Sequence, residues 1–152
     1  AVLGGPATSY PSMMRRQGAQ QAMEDAGIRF EDKLYGLSNY DFESAYHAMN
    51  GLLARRAEFT ALFAMSDVIA FGAIRALVSA GFRVPQDVSV IGFDGITMSR
   101  YCVPVMTTIV QPSEQIALQS IELLVRQIEH GTPAQTVTLQ PELQQGESVR
   151  AI

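Results

Sequence analysis

The sequence has no tryptophan, one cysteine (Cys102), one lysine (Lys33) and two histidines (His47 and His130). A single cysteine rules out an internal disulfide and is compatible with a reducing cytoplasm, which is the expected location. The net charge of -4 denies the chain the basic surface that neutralises phosphates, so it is a poor candidate for holding nucleic acid by itself. Cys102 has no partner at metal-ligand spacing. His47 and His130 fall at helix or helix-end positions and read as surface residues. Ser9 and Ser12 lack the G-x-S-x-G context of a hydrolase nucleophile. The residues therefore suggest no catalytic set, no metal and no cofactor. No apolar run approaches the ~20 residues needed to span a bilayer, and no signal peptide is visible, so no membrane partner is expected. The chain opens with Ala1-Val2-Leu3-Gly4, which reads as the inside of a strand and leads to the expectation that it begins partway through a larger protein.

What is present is a globular composition. The 152 residues are 47% hydrophobic and 17% charged, enough for one domain with its own core. Strand and helix patterns alternate along the chain, without internal repeats or low-complexity segments. A strand at Ala1–Gly4 precedes a helix from about Ser12 to Ala26, which Gly27 ends. A strand at Lys33–Leu37 precedes a helix capped by Asp41 and running to about Ala54. A strand at Ala61–Met65 precedes a helix from Ser66-Asp67 to Ala80. The near-continuous apolar run Val88–Phe93 predicts a strand buried on both faces, as in a parallel sheet. Beyond it come a helical turn at Ser99–Val103, a short strand at Thr107–Val110, and a helix from Pro112 to about Glu129. Two late strands are expected at Val137–Leu139 and Glu147–Val149. Strand–helix alternation with short connections predicts a doubly wound α/β fold with a mostly parallel sheet, and right-handed crossovers put helices on both of its faces.

In such folds ligands bind outside the carboxyl ends of the strands, which directs attention to the polar residues placed there. Asp94 ends the fourth strand, where it is either a turn residue before Gly95 or a carboxylate for hydroxyl recognition. Ser66 and Asp67 follow the third strand, where one can cap the helix and the other contact a ligand. Tyr40 follows the second strand and is either an ordinary loop tyrosine or a platform for the apolar face of a ring. Arg15 and Arg16 lie early in the first helix and cannot both face one cleft. The pair is either solvated, or one member supplies a guanidinium fork for hydroxyls or a carboxylate. Gly4-Gly5-Pro6 lacks the spacing of a dinucleotide loop, and Pro6 removes an amide donor where a phosphate needs one. Polar residues at strand ends without a nucleophile or base suit binding better than bond-making.

Taken in order, several motifs resemble the ligand-binding domain of the LacI/GalR family of bacterial transcription regulators. They are Gly4-Gly5-Pro6 with Arg15-x-x-Gly18, Ser66-Asp67-Val68-Ile69-Ala70-Phe71-Gly72-Ala73, Gly81 through Asp94, and Thr107-Thr108-Ile109-Val110-Gln111-Pro112. Leu143 and Ser148-Val149-Arg150 fit as well. The resemblance covers essentially the whole chain. It implies one lobe of a two-lobed, periplasmic-binding-protein-like type I domain, namely the C-terminal lobe over residues 1–152. Residues 107–134 would then be a crossing strand and a helix that packs on an N-terminal lobe. It also implies that Arg15 and Asp94 hold a small effector, that Tyr40 packs on it, and that Ser66, Asp67, Gln111 and Ser9 line the cleft. Ser9 and Pro11 stand where the purine-binding member carries an arginine and a threonine, which argues for a sugar or sugar derivative. The implied partners are a second copy of the chain, paired through the Val68–Val78 helix and the Met98–Val105 segment, and operator DNA reached only through a separate N-terminal domain. A periplasmic sugar-binding protein shares the two-lobed fold and is the alternative. A flavodoxin-like enzyme would need a catalytic set that the sequence does not display.

Overall fold

The computed structural model describes residues 1–56 and 58–151. Strands β1 (Val2–Gly4), β2 (Tyr35–Leu37), β3 (Ala61–Ala64), β4 (Ser89–Asp94), β5 (Thr107–Val110) and β6 (Glu142–Gln144) form one sheet in the order β2-β1-β3-β4-β5-β6. The first five strands run parallel, and β6 joins β5 antiparallel, pairing Ile109 with Leu143. Helices α1 (Tyr10–Asp25), α2 (Phe42–Ala54) and α3 (Asp67–Ser79) connect the first four strands, and α4 (Ser113–His130) follows β5. The doubly wound α/β fold expected from the alternation is therefore present.

Local chemistry sets the helix starts. Ser9, Asp41 and Ser66 each accept a backbone N–H of the following turn, from Ser12, Ser44 and Ile69 respectively. Helix α1 begins two residues ahead of the expected Ser12, because Ser9 caps it and Pro11 occupies its first turn. Gly131 ends α4 in the left-handed region at φ 61°.

Most of the core lies on one side of the sheet. Leu62, Ala64 and Val90 meet Ala45, Met49 and Leu52 of α2 and Ile69, Ala73 and Leu77 of α3, all of them buried. Burial of the Leu, Val, Met and Ile side chains among them stabilises the fold by about 1.5–3 kcal/mol each. The opposite side differs from the expectation of a strand covered on both faces. Along β4 only Val90 and Gly92 are buried, whereas Ile91 and Phe93 are half-exposed. They line an apolar groove of about 820 Å³ with Phe63, Ala61 and, from α1, Arg15, Ala19 and Met23. A continuous apolar run thus serves one packed face and one partly open one.

Neither Val137–Leu139 nor Glu147–Val149 is a strand, and the late strand is Glu142–Gln144 instead. Val137 and Leu139 face Ile116 and Leu123 of α4 across a groove of about 600 Å³. Ser148 has a different role. Its hydroxyl donates to the Val90 carbonyl at 2.6 Å and accepts the Thr107 amide at 2.8 Å, so it completes hydrogen bonding where β4 and β5 begin.

Helix α4 buries none of its residues. Leu118, Ile121, Leu124, Val125 and Ile128 remain exposed, at 42–73% of their surface.

Candidate ligand-binding site

The carboxyl ends of the central strands converge as the fold requires. Arg15, on the second turn of α1, crosses to the ends of β3 and β4. Its Nη1 donates to the Met65 carbonyl at 2.6 Å, its Nη2 stands 3.6 Å from Asp94 Oδ1, and its guanidinium carbon lies 3.7 Å from the centre of the Phe93 ring. Gln111, just past β5, donates from Nε2 to the same Asp94 Oδ1 at 2.6 Å, and its amide bonds the Asp94 carbonyl. One carboxylate is thereby held between a cation and an amide. Burial pushes the Asp94 carboxyl above the usual aspartate range, with Arg15 and Gln111 pulling it back and the nearby Asp67 pushing it up.

Arg16 diverges from this cluster. It pairs with Asp32 at 2.8 Å and lies over the Tyr35 ring, so of the two arginines Arg15 faces the strand ends. Tyr40 adopts φ 59° and packs its ring over Gly5, where any Cβ would collide with it. Its hydroxyl sits 3.3 Å from Ser9 Oγ. The Tyr40 ring therefore fills the space beside the loop after β1.

Two of the expected contacts lie below the site. Ser66 is 4% exposed and its oxygen caps α3. Asp67 is fully buried and both of its oxygens are engaged: Oδ1 accepts from the Thr108 hydroxyl at 2.5 Å and Oδ2 from the Ile96 amide at 2.8 Å. Burial pushes its carboxyl up, and these donors pull it back. Arg15, Asp94 and Gln111 thus cluster at the strand ends, while Asp67 exposes no surface there. Phe93, which carries the Arg15 guanidinium, was not singled out by sequence reasoning. The usable signal was strand alternation, because Phe93 lies on the α1 side of β4, where Arg15 must cross.

His47 and His130 are exposed and stand beside Glu43 and Glu129. Cys102 donates its thiol to the carbonyls of Ser99 and Pro104. Among the described residues no cluster of His, Cys, Asp or Glu is arranged to hold a metal ion, and no helix is long and apolar enough to cross a membrane.

The fold is an α/β lobe with a polar cluster at the carboxyl ends of its strands. Residues 1–149 match the family model of the periplasmic binding protein-like domain. The chain is 38% identical over 137 residues to the HTH-type transcriptional regulator MalR of Clostridium butyricum, covering 90% of this chain and 41% of that protein. It is 35% identical over 153 residues to the HTH-type transcriptional repressor PurR of Histophilus somni, covering 100% of this chain and 46% of that protein. Among solved structures, the transcriptional regulator CelR in complex with cellobiose superposes with a TM-score of 0.93 at 33% identity, over 97% of this chain and 46% of that one. A LacI-family regulator from Arthrobacter in complex with lactose gives 0.84 at 25% identity, over 98% and 56%. A dimeric Lac repressor shares the fold, with a TM-score of 0.91 at 24% identity over 97% and 54%. The chain belongs to the periplasmic-binding-protein-like domain family, as an effector-binding domain of LacI-type transcription regulators. It spans less than half the length of the curated relatives named here, and these are regulators, not enzymes.

Proposed function

We propose that this chain is the C-terminal lobe of a cytoplasmic, dimeric, LacI-type repressor whose effector is a sugar or sugar derivative. The observation that carries the reading is the placement of Asp94, held by Arg15 and Gln111 at the strand ends, with the Tyr40 ring over Gly5 at the end of β1. A carboxylate and a guanidinium side by side match the donors and acceptors of vicinal hydroxyls, and a tyrosine ring suits the apolar face of a pyranose. Two of the similar structures hold cellobiose and lactose, which supports a sugar over other effectors. Residues 107–134 cross to, and pack on, a second lobe, so the effector is enclosed between the two. An effector with different affinity for the open and closed arrangements shifts their equilibrium, and DNA-binding heads carried by a dimer change spacing in response. The dimer face is α3 with the segment from Met98 to Val105, where Met98, Tyr101, Val103 and Val78 are 51–93% exposed.

The test is calorimetric titration of the full-length protein with cellobiose, lactose, hypoxanthine and guanine. The two purines are included because the relatives named PurR are as similar in sequence as the others. Binding of a disaccharide that Arg15→Ala abolishes supports the reading. Binding of a purine and of neither sugar would replace the sugar with a base.

A further inference from the structure

The carboxylate of Asp67 bridges three elements. It belongs to the first residue of α3, accepts the amide of Ile96 just past β4, and accepts the hydroxyl of Thr108 within β5. The segment it holds is unusual: Asp94 adopts φ 114° and Gly95 φ 71°, two successive residues in a region that side chains disfavour. Such a turn persists only where its surroundings enforce it. Gly95 is pressed against Val110, and Gly92 leaves the space that the Asp67 carboxylate fills, since a Cβ on Gly92 would overlap Asp67 Oδ1. Asp67 is fully buried and exposes no surface at the strand ends.

We propose that Asp67 is a positioning residue whose carboxylate clamps the Asp94–Ile96 turn, and so aims the Asp94 side chain at Arg15, Gln111 and the effector. The last step rests on the proposed effector site. Charge-assisted hydrogen bonds are roughly twice as strong as neutral ones, so an ionised carboxylate holds this turn more firmly than an amide could. The same bridge joins the turn to β5, which leads to Gln111. One buried group thus fixes both the turn that carries Asp94 and the strand that leads to its partner Gln111.

The test uses the full-length protein with two variants, Asp67→Asn and Gly92→Ala, the second displacing the carboxylate without altering it. Mass-spectrometric amide exchange is followed in the peptides carrying 94–96 and, as a reference, 62–64. Both variants should speed exchange at 94–96 by about tenfold and leave 62–64 unchanged. Asp67→Asn should weaken cellobiose binding by about tenfold in the natural background and have no further effect in an Asp94→Asn background. Unchanged exchange at 94–96 in both variants, or an equal rise at 62–64, would overturn the clamp. So would an affinity loss that persists undiminished without the Asp94 carboxylate. Failure of the effector site itself looks different. Asp94→Asn alone would then leave cellobiose affinity untouched, while the local rise in exchange would still support the clamp.

Discussion

Asp94 combines a costly ionisation with a costly backbone conformation. Burial raises its pKa, so in the folded protein it takes up a proton at a higher pH than a free aspartate does. Effector binding that needs the carboxylate should therefore weaken on acidification before the ordinary aspartate value is reached, which titrations between neutral and acid pH would show. The sign for stability is opposite. A raised folded pKa contributes stability that is present at low pH and lost as the pH rises through that value. Asp94→Asn removes the charge, and asparagine tolerates positive φ, so this variant should melt no lower than the natural protein at neutral pH while losing affinity. A lower melting temperature in calorimetry would mean that the Arg15 pair outweighs desolvation. Arg15→Lys retains the charge but removes the fork and the flat face over Phe93, and is expected to lower effector affinity by about tenfold or more. The position of Asp94 was legible in the sequence because a strand followed by Asp-Gly places a carboxylate at a strand end. The inward turn of Asp67 was not, because Ser66 and Asp67 are adjacent and either one caps a helix. What separates them is the hydroxyl of Thr108, 41 residues away.

Among the elements, the helices and central strands were readable because their apolar spacing and caps agree. Asp41 and Ser66 cap α2 and α3 where the pattern begins. The late strands were misplaced because short apolar pairs such as Val137 and Leu139 fit a strand or an extended cover segment equally well, and only pairing with β5 decides between them. Element packing leads to two expectations. Leu52 of α2 is fully buried, and Leu52→Ala should cost about 2–5 kcal/mol in denaturant unfolding of the full-length protein. Helix α4 presents Leu124 and Ile128 at 52% and 73% exposure. If the helix packs on a second lobe, Leu124→Asp destabilises the full-length protein by several kcal/mol, as burial of an unpaired charge does. Substitution of the exposed, ion-paired Glu122 should leave the melting temperature unchanged. Equal behaviour of the two variants would mean that α4 stays solvated.

At the scale of the molecule, the fold class followed from alternation alone, whereas the uneven covering of the two sheet faces did not. An apolar run in β4 does not reveal whether both of its faces are covered, and the groove over Phe63, Ile91 and Phe93 appears only in three dimensions. The proposed dimer makes its own demand. Tyr101 and Val103 are 76% and 93% exposed, an arrangement that suits an interface better than a monomer surface. Tyr101→Asp with Val103→Asp should halve the mass of the full-length protein in sedimentation at micromolar concentration, while a persisting dimer would move the interface elsewhere. The proposed regulator depends above all on a sugar held at the strand ends by Arg15 and Asp94. Calorimetric titration of the full-length protein and its Arg15→Ala variant with cellobiose and lactose tests it most directly. The natural protein should bind at least one disaccharide saturably, and the variant should lose that binding. Equal affinity in both proteins, or binding of a purine in place of either sugar, would contradict this reading.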